Sequence, residues 1–413
     1  AVVPLYHLYT IRAESTSPSK SVYLPCNSIT LPLLTIDGVI DSILTCGVVV
    51  YLSFWQPASI AAETPIIMTH VRMPLTLLQI YRISSDLMQL TWEEIRTRSE
   101  LEFISTVRDV FALQYAQNAL FRSFADRLGR TPDRFIGITD LPFLPISFFK
   151  QDTVKTGDFT PERIFESSGT TGITTSRHAV RDLSIYDEQL LRNFERVYGL
   201  VGDWCILALL PSYLERGNSS LVYMVEQLLQ RVGHPDSGFY LNDWDQLIAQ
   251  LEKGERECRK TLLIGVGFGL LDLAEKYHGE FKHTTILETG GMKGRRREWI
   301  REELHNHLAQ CFGVGKIHSE YGMTELLSQA YSIGDGIFEC PPWMRVLVRE
   351  EEDPLSYKTV GRGLINVIDL ANINSCCFIA TDDVGELLPN DQFKVLGRRD
   401  GSDLRGCSLL VQG

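Results

Sequence analysis

From Thr91 onward, apolar residues recur at helical intervals. Trp92, Ile95, Leu101, Phe103, Ile104, Val107, Val110, Phe111 and Leu113 keep a three-to-four-residue spacing, which predicts helix. Leu120, Phe121, Phe124 and Leu128 repeat the spacing and stop before Gly129, a helix-ending residue. Residues 141–150 are apolar but extended, because Pro142 and Pro145 exclude a regular helix. Beyond them, uniformly apolar runs alternate with amphipathic ones. Residues 204–211, 261–266 and 284–289 read as buried strands, and 219–232 reads as a helix. Ile300, Leu304, Leu308 and Phe312 form a further helical stripe ending near Gly313. This alternation predicts an α/β domain with a largely parallel sheet. After Pro341 the segments shorten and Gly and Asp turns multiply, which predicts a smaller β-rich subdomain.

Residues 1–90 differ in texture. They are rich in Ser, Thr, Ile, Leu and Pro and lack a helical period, so they are expected to form an extension of unassigned structure. Within them, residues 42–62 carry no charge and are long enough to cross a bilayer. Gly47, Gln56 and Pro57 interrupt the run and no strongly basic flank adjoins it, so a buried strand or hairpin is favoured over a membrane span. The organisation expected is therefore an extension over 1–90, an α/β core over 91–340, a β-rich subdomain over 341–398, and a hinge with a short tail over 399–413.

Composition removes some functions. The 413-residue chain carries a net charge of -12, which disfavours nucleic acid as the main partner, since phosphate backbones need clustered Lys and Arg. Nine cysteines are scattered without zinc-ligand spacing, which fits a reducing compartment and leads us to expect a cytoplasmic protein.

The sharpest chemical signal is Glu166 followed by Ser167, Ser168, Gly169, Thr170, Thr171 and Gly172. Small residues let backbone N–H groups approach phosphate oxygens, and the hydroxyls add donors. The Gly-Lys-Ser/Thr ending of a Walker loop is absent. As a bare string, a flexible Ser/Gly turn is the alternative.

Ser-Ser-Gly-Thr-Thr-Gly resembles the phosphate loop of the adenylate-forming superfamily, although residues 173–177 after it carry Arg177 and no lysine. Further stretches resemble the superfamily's motifs in the right order. Residues 288–293, with Gly290 and Gly291, look like the turn that lies against adenine. Residues 320–325 look like its Tyr-Gly-x-Thr-Glu motif. The resemblance implies that Tyr321 stacks on adenine beside Gly322, that Thr324 contacts the α-phosphate and that Glu325 ligates Mg2+. Residues 379–387 resemble the Thr-Gly-Asp motif, implying Asp383 as the ribose ligand, with Asp382 as the competing choice. Residues 397–400 resemble the Gly-Arg-x-Asp hinge, implying that Arg398 reaches the ribose or phosphate. The fold implied is a large adenylate-forming α/β domain with mixed and parallel sheets and a β-rich subdomain, its C-terminal lobe minimal or absent.

Only 13 residues follow Asp400, and that ending resembles the acyl-protein synthetases of the bacterial bioluminescence fatty-acid reductase complex. The resemblance runs from about Leu90 to the C-terminus. It implies ATP-dependent conversion of a fatty acid to acyl-AMP, then transfer to a cysteine, here Cys407, and onward to an acyl-reductase partner. A thiolate attacking an activated acyl group splits one hard step into two. Lys293 is a candidate for the missing lobe lysine, and His178 a candidate substrate contact, each against the plainer reading of a surface or packed side chain. Residues 211–220 and 265–270 are expected to line the acyl pocket. Two alternatives stay open: a phenylacetate-type acyl-CoA ligase lacking its C-terminal lobe, and a catalytically silent adenylate-binding component of a complex.

Overall fold

The computed structural model describes residues 90–167, 175–210, 217–241, 243–290 and 299–399, together with three short strands in the first ninety residues. The chain divides into two compact units, Ala1–Gln89 and Leu90–Gly413. In the first, β1 (Ile11–Arg12), β2 (Val49–Leu52) and β3 (His70–Arg72) form an antiparallel sheet in that order. Of the uncharged stretch 42–62, only β2 is described. No helix among the described residues is long and apolar enough to cross a membrane.

The second unit opens with helices. Thr91 and Glu94 cap α1 (Trp92–Thr97) reciprocally, and Ser99 and Glu102 repeat the arrangement just before α2 (Phe103–Gln117). Each pair satisfies backbone N–H groups at a helix start. The apolar run expected as one periodic stretch is therefore cut in two, and Leu101 lies off its buried face, 97% exposed. Asn118 caps α3 (Ala119–Leu128), which Gly129 ends at a left-handed φ of 64°. Phe121 and Ala125 are buried there, while Leu120, Phe124 and Leu128 are half-buried. The proline-bearing segment is extended through β4 (Leu144–Pro145), then turns into α4 (Phe148–Gln151), after the last proline.

A two-stranded hairpin, β5 (Arg163–Glu166) and β6 (Arg177–Val180), follows. After it come α5 (Leu183–Tyr198), β7 (Cys205–Leu209), α6 (Ser220–Val232), β8 (Gly238–Phe239), α7 (Trp244–Arg256), β9 (Thr261–Val266), α8 (Gly267–Lys276), β10 (Thr284–Thr289), α9 (Arg301–Phe312), β11 (His318–Tyr321) and β12 (Ala330–Ser332). Ile300, counted in the α9 stripe, precedes the helix and is 54% exposed. The sheet order is β12-β11-β10-β9-β7-β8, parallel except for β12. Every residue of β7 and β9 is buried, as expected of strands covered on both faces. Alternation divides them cleanly. Ile206, Ala208, Leu262 and Ile264 enter one apolar core; Cys205, Leu207, Leu209 and Leu263 enter the other, with α7, α8 and α9.

The antiparallel sheet contains β13 (Met344–Arg349), β14 (Tyr357–Lys358), β15 (Gly361–Asp369), β16 (Phe378–Leu387) and β17 (Phe393–Arg398), ordered β14-β13-β15-β16-β17. β4 adds to β16 in parallel, Leu144 opposite Ile379. Two of these strands are longer than the turn-rich sequence suggests, because Gly363 and Gly385 lie opposite one another inside β15 and β16. A Cβ on Gly363 would strike the Arg349 carbonyl, and one on Gly385 would come within 2.7 Å of Ile365 Cδ1.

Candidate functional site

The carboxyl ends of parallel strands leave a sheet edge where loops can gather around a ligand. β10 and β11 are paired so that Glu288 lies opposite Ser319 and Thr289 opposite Glu320. Gly290, one residue past the ladder, thus stands level with Tyr321. The Thr289 hydroxyl donates to Glu320 Oε2 at 2.9 Å, and a Cβ on Gly322 would strike Glu320 Oε1. Any larger residue at 322 would have to displace the Glu320 carboxyl. Burial pushes the Glu320 carboxyl up to about 7; the Thr289 hydroxyl lowers it and the Glu288 carboxylate raises it further. On the opposite face of β10, Glu288 Oε2 lies 3.3 Å from the Ser319 hydroxyl that donates to it and 3.6 Å from His305 Nε2.

Tyr321 links the two sheets. Its hydroxyl donates to Asp383 Oδ2 at 3.0 Å, and its ring meets Phe393 edge-on at 5.5 Å. Burial, and next the Asp383 carboxylate, push the Tyr321 hydroxyl well above its usual range, so it stays protonated and donates. Asp383 lies opposite Arg398 across β16 and β17, and Arg398 Nε donates to Asp383 Oδ1 at 3.1 Å. Strand alternation settles which acid joins this group: Asp383 is buried toward Tyr321, while Asp382 is half-buried and its carbonyl accepts from Arg399. Beneath them, Arg349 donates to the carbonyls of Thr381 and Ile365 and to Asn366 Oδ1, fixing the backbone that carries Asp383.

The phosphate-loop candidate is anchored at its base. Ser167 N donates to the Ser176 carbonyl at 3.0 Å, and Ser176 N to the Ser167 hydroxyl at 2.9 Å. Ser168, Gly169, Thr170, Thr171 and Gly172 lie outside the described residues, as do Gly291, Lys293 and Cys407. Two residues beyond the loop base, His178 is buried. Its Nδ1 lies 2.8 Å from the Thr324 carbonyl, which can only accept, so Nδ1 carries the proton. Its ring meets Phe149 edge-on at 5.8 Å, and burial lowers its pKa to about 4.

Residues 324–329 have no ladder of their own, and side chains from elsewhere hold them. Asn372 donates to the Glu325 carbonyl at 2.7 Å. Gln189 donates to the Leu327 carbonyl, and Asn193 to the Gln329 carbonyl at 2.7 Å. Asp369 accepts from Leu327 N and Ser328 N, each at 2.9 Å, and from the Ser328 hydroxyl at 2.6 Å. Buried backbone groups need such partners. Sequence reasoning gave Asp369, Asn372, Gln189, Asn193 and Arg349 no role. The readable signal was polar residues set into an apolar run, as with Asn366, Asp369 and Asn372. Thr324 and Glu325 follow directly from this support, Glu325 being buried.

The stretch 265–270 is not an open wall. Leu270 folds back over Gly265, where a Cβ would come within 2.7 Å of Leu270 Cδ2. Residues 211–216 are outside the described residues. The geometry thus unites Gly290, Glu320, Tyr321, Gly322, Asp383 and Arg398 around one sheet edge, and joins Ser167, through His178, to Thr324 and Glu325.

No sequence-family profile matches the chain. It is 25% identical over 334 residues to the long-chain-fatty-acid–luciferin-component ligase of Vibrio harveyi, a match covering 74% of this chain and 86% of that protein. Among solved structures, 2-hydroxyisobutyryl-CoA ligase with 2-HIB-AMP and CoA in its thioesterification state aligns with a TM-score of 0.54 at 12% identity, over 72% of this chain and 68% of that one. Its open conformation aligns with a TM-score of 0.52 at 12% identity, over 71% and 73%. The fold is that of the adenylate-forming ligases, and the sequence is similar to a long-chain-fatty-acid–luciferin-component ligase.

Proposed function

We propose that this chain activates a carboxylic acid with ATP as the acyl adenylate and passes the acyl group to a thiol. The observation that carries the reading is the convergence of Gly290, Tyr321, Asp383 and Arg398 at the carboxyl edge of the parallel sheet, beside the segment that carries Thr324 and Glu325. In the first step a carboxylate oxygen attacks the α-phosphorus and pyrophosphate leaves. In the second a thiolate attacks the acyl carbon and AMP leaves, carrying the electron pair of the broken C–O bond.

The roles follow from the chemistry of each group. Ser167, Ser168, Gly169, Thr170, Thr171 and Gly172 offer N–H and hydroxyl donors to the phosphates. Gly290 and Gly291 leave room for the flat face of adenine, with Tyr321 beside them. Asp383, already an acceptor for Tyr321 and Arg398, has the oxygens to hold ribose hydroxyls. Arg398 is half-exposed and has guanidinium donors for ribose or phosphate. No group of three or more His, Cys, Asp or Glu that could hold a metal occurs among the described residues. One carboxylate, Glu325, completed by nucleotide oxygens and water, fits Mg2+ and not a fully protein-ligated ion. When bound, Mg2+ would neutralise phosphate charge.

The name of the Vibrio harveyi relative supports a fatty acid as substrate, and Cys407 is the acceptor this reading assigns, with an acyl reductase as the downstream partner. The test has two stages. Acid-dependent ATP–pyrophosphate exchange, surveyed over acids of increasing chain length with Mg2+, reports adenylation; no exchange with any acid would sink the enzyme reading. Radiolabelled acyl group retained on denatured protein, and lost in Cys407→Ala, reports the protein thioester. Full labelling of Cys407→Ala would remove Cys407 from the mechanism, and labelling only of added coenzyme A would make a CoA ligase of it.

A further inference from the structure

The phosphate-loop candidate and the Thr324–Glu325 segment are far apart in sequence and belong to different elements. His178 joins them. It sits on β6, which starts directly after the loop base closed by Ser167 and Ser176. Its Nδ1 reaches the Thr324 carbonyl at 2.8 Å across 146 positions of sequence. Phe149 packs on the ring from α4, and Asn372, which donates to the Glu325 carbonyl, also borders the imidazole. The ring is buried, so no solvent competes for the hydrogen bond. Two consecutive carbonyls, of Thr324 and Glu325, are thereby pinned by two buried side chains. The backbone of the segment is thereby tied to β6, the strand that starts directly after the loop base.

We infer that His178 is a positioning residue that couples the base of the phosphate-loop candidate, Ser167 and Ser176, to Thr324 and Glu325, and through them sets the affinity for Mg·ATP. The inference rests on the adenylating function proposed above. His178 touches neither nucleotide nor acid; it acts through the Thr324 backbone. Nucleotide binding should therefore depend on a donor at the position of Nδ1, while acid binding should not.

The experiment uses the full chain as wild type, His178→Leu, His178→Asn and His178→Gln. The Asn amide nitrogen stands close to where Nδ1 stands, whereas the Gln amide reaches one bond farther. Binding of a non-hydrolysable Mg·ATP analogue is measured by equilibrium dialysis. Pyrophosphate exchange then gives KM for Mg·ATP and for acid separately, and a thermal melt checks folding. H178L is expected to weaken Mg·nucleotide binding and raise KM for Mg·ATP about tenfold, as loss of one buried hydrogen bond implies. KM for acid should change less than about twofold, and H178N should recover most of the loss where H178Q does not. Wild-type nucleotide affinity in H178L would overturn the inference. So would equal impairment of H178N and H178Q, since donor geometry would then be irrelevant; that comparison decides the matter even if H178L does not fold. If the wild type binds nucleotide but exchanges with no acid, the adenylating reading fails while the dialysis series still decides the role of His178. If it binds no Mg·nucleotide, both fall.

Discussion

Replacing Glu320 by Gln should reverse part of the protein's pH response. The side chain is fully enclosed, with Tyr186, Tyr198 and Tyr331 near it on one side of the sheet and Thr289 donating to it. Burial is the main reason its carboxyl is held up to about 7 against an ordinary 4.5. Between those values the unfolded chain gives up a proton that the folded chain keeps. The unfolded state therefore binds fewer protons, and stability falls as pH rises through the window. Integrated from pH 5 to pH 8, the loss is about 2.5 kcal/mol. Gln is the neutral isostere and cannot ionise, so Glu320→Gln should lack this loss. The stability of E320Q relative to wild type should grow by about 2.5 kcal/mol over that range, on the order of 5 °C in melting temperature for a chain of this size. His178 and His318, whose pKa values burial lowers to about 4, act in the opposite sense: their contribution is lost as pH falls below 6.5. Both remain in the variant and cancel in the difference. Paired urea and thermal unfolding at pH 5, 6, 7 and 8 reads it directly. A difference that stays constant with pH would show that Glu320 is not titrating in a dry site, and the reasoning would fail.

Gly322→Ala should destabilise by about 1–3 kcal/mol, because its methyl group would press on the enclosed Glu320 carboxyl; an unchanged urea midpoint would mean that this acid moves aside freely. Asp369→Ala strips the acceptor from Leu327 N and Ser328 N and should cost about 3 kcal/mol or more in urea unfolding; a loss below about 1 kcal/mol would mean those groups find other partners. Asp383→Asn should raise KM for Mg·ATP about tenfold in pyrophosphate exchange, with Asp382→Asn within about twofold of wild type; the reverse order would exchange their roles. Below pH 6.5, wild type should lose stability relative to H178N, by up to about 3 kcal/mol near pH 4, since the imidazole must be buried uncharged; parallel acid titration curves would count against it.

How much of this was legible depended on whether the governing signal was local. β9 and β10 were readable to the residue because all or nearly all of their side chains are buried, so an apolar run and a strand coincide. The spacing from Trp92 predicts one periodic stretch that includes Leu101, although the Thr91–Glu94 and Ser99–Glu102 pairs announce two separate starts, and the capping chemistry prevails. The turn-rich pattern after Pro341 hides the length of β15 and β16, because nothing nearby in sequence reveals that Gly363 and Gly385 lie opposite one another in paired strands. That Asp383 and not Asp382 stands beside Tyr321 and Arg398 depends on a strand register that the motif alone does not carry. The contacts of Tyr321 with Asp383 and of His178 with Thr324 are long-range, so each residue type could be singled out while its partner could not. The phosphate-loop tip and Cys407, both singled out from sequence, lie outside the described residues.

The parallel pairing of Leu144 with Ile379 has a consequence for biosynthesis. The first of these leaves the ribosome more than two hundred residues before the second, so the antiparallel sheet cannot acquire this strand until synthesis has passed Ile379. Contacts this remote in sequence form slowly, and at about 5–20 residues per second the earlier segment spends ten seconds or more with its partner not yet made. A nascent chain stalled before Phe378 should hold Phe143 and Leu144 accessible to chaperones and proteases, and emergence of β16 should be the event that shields them.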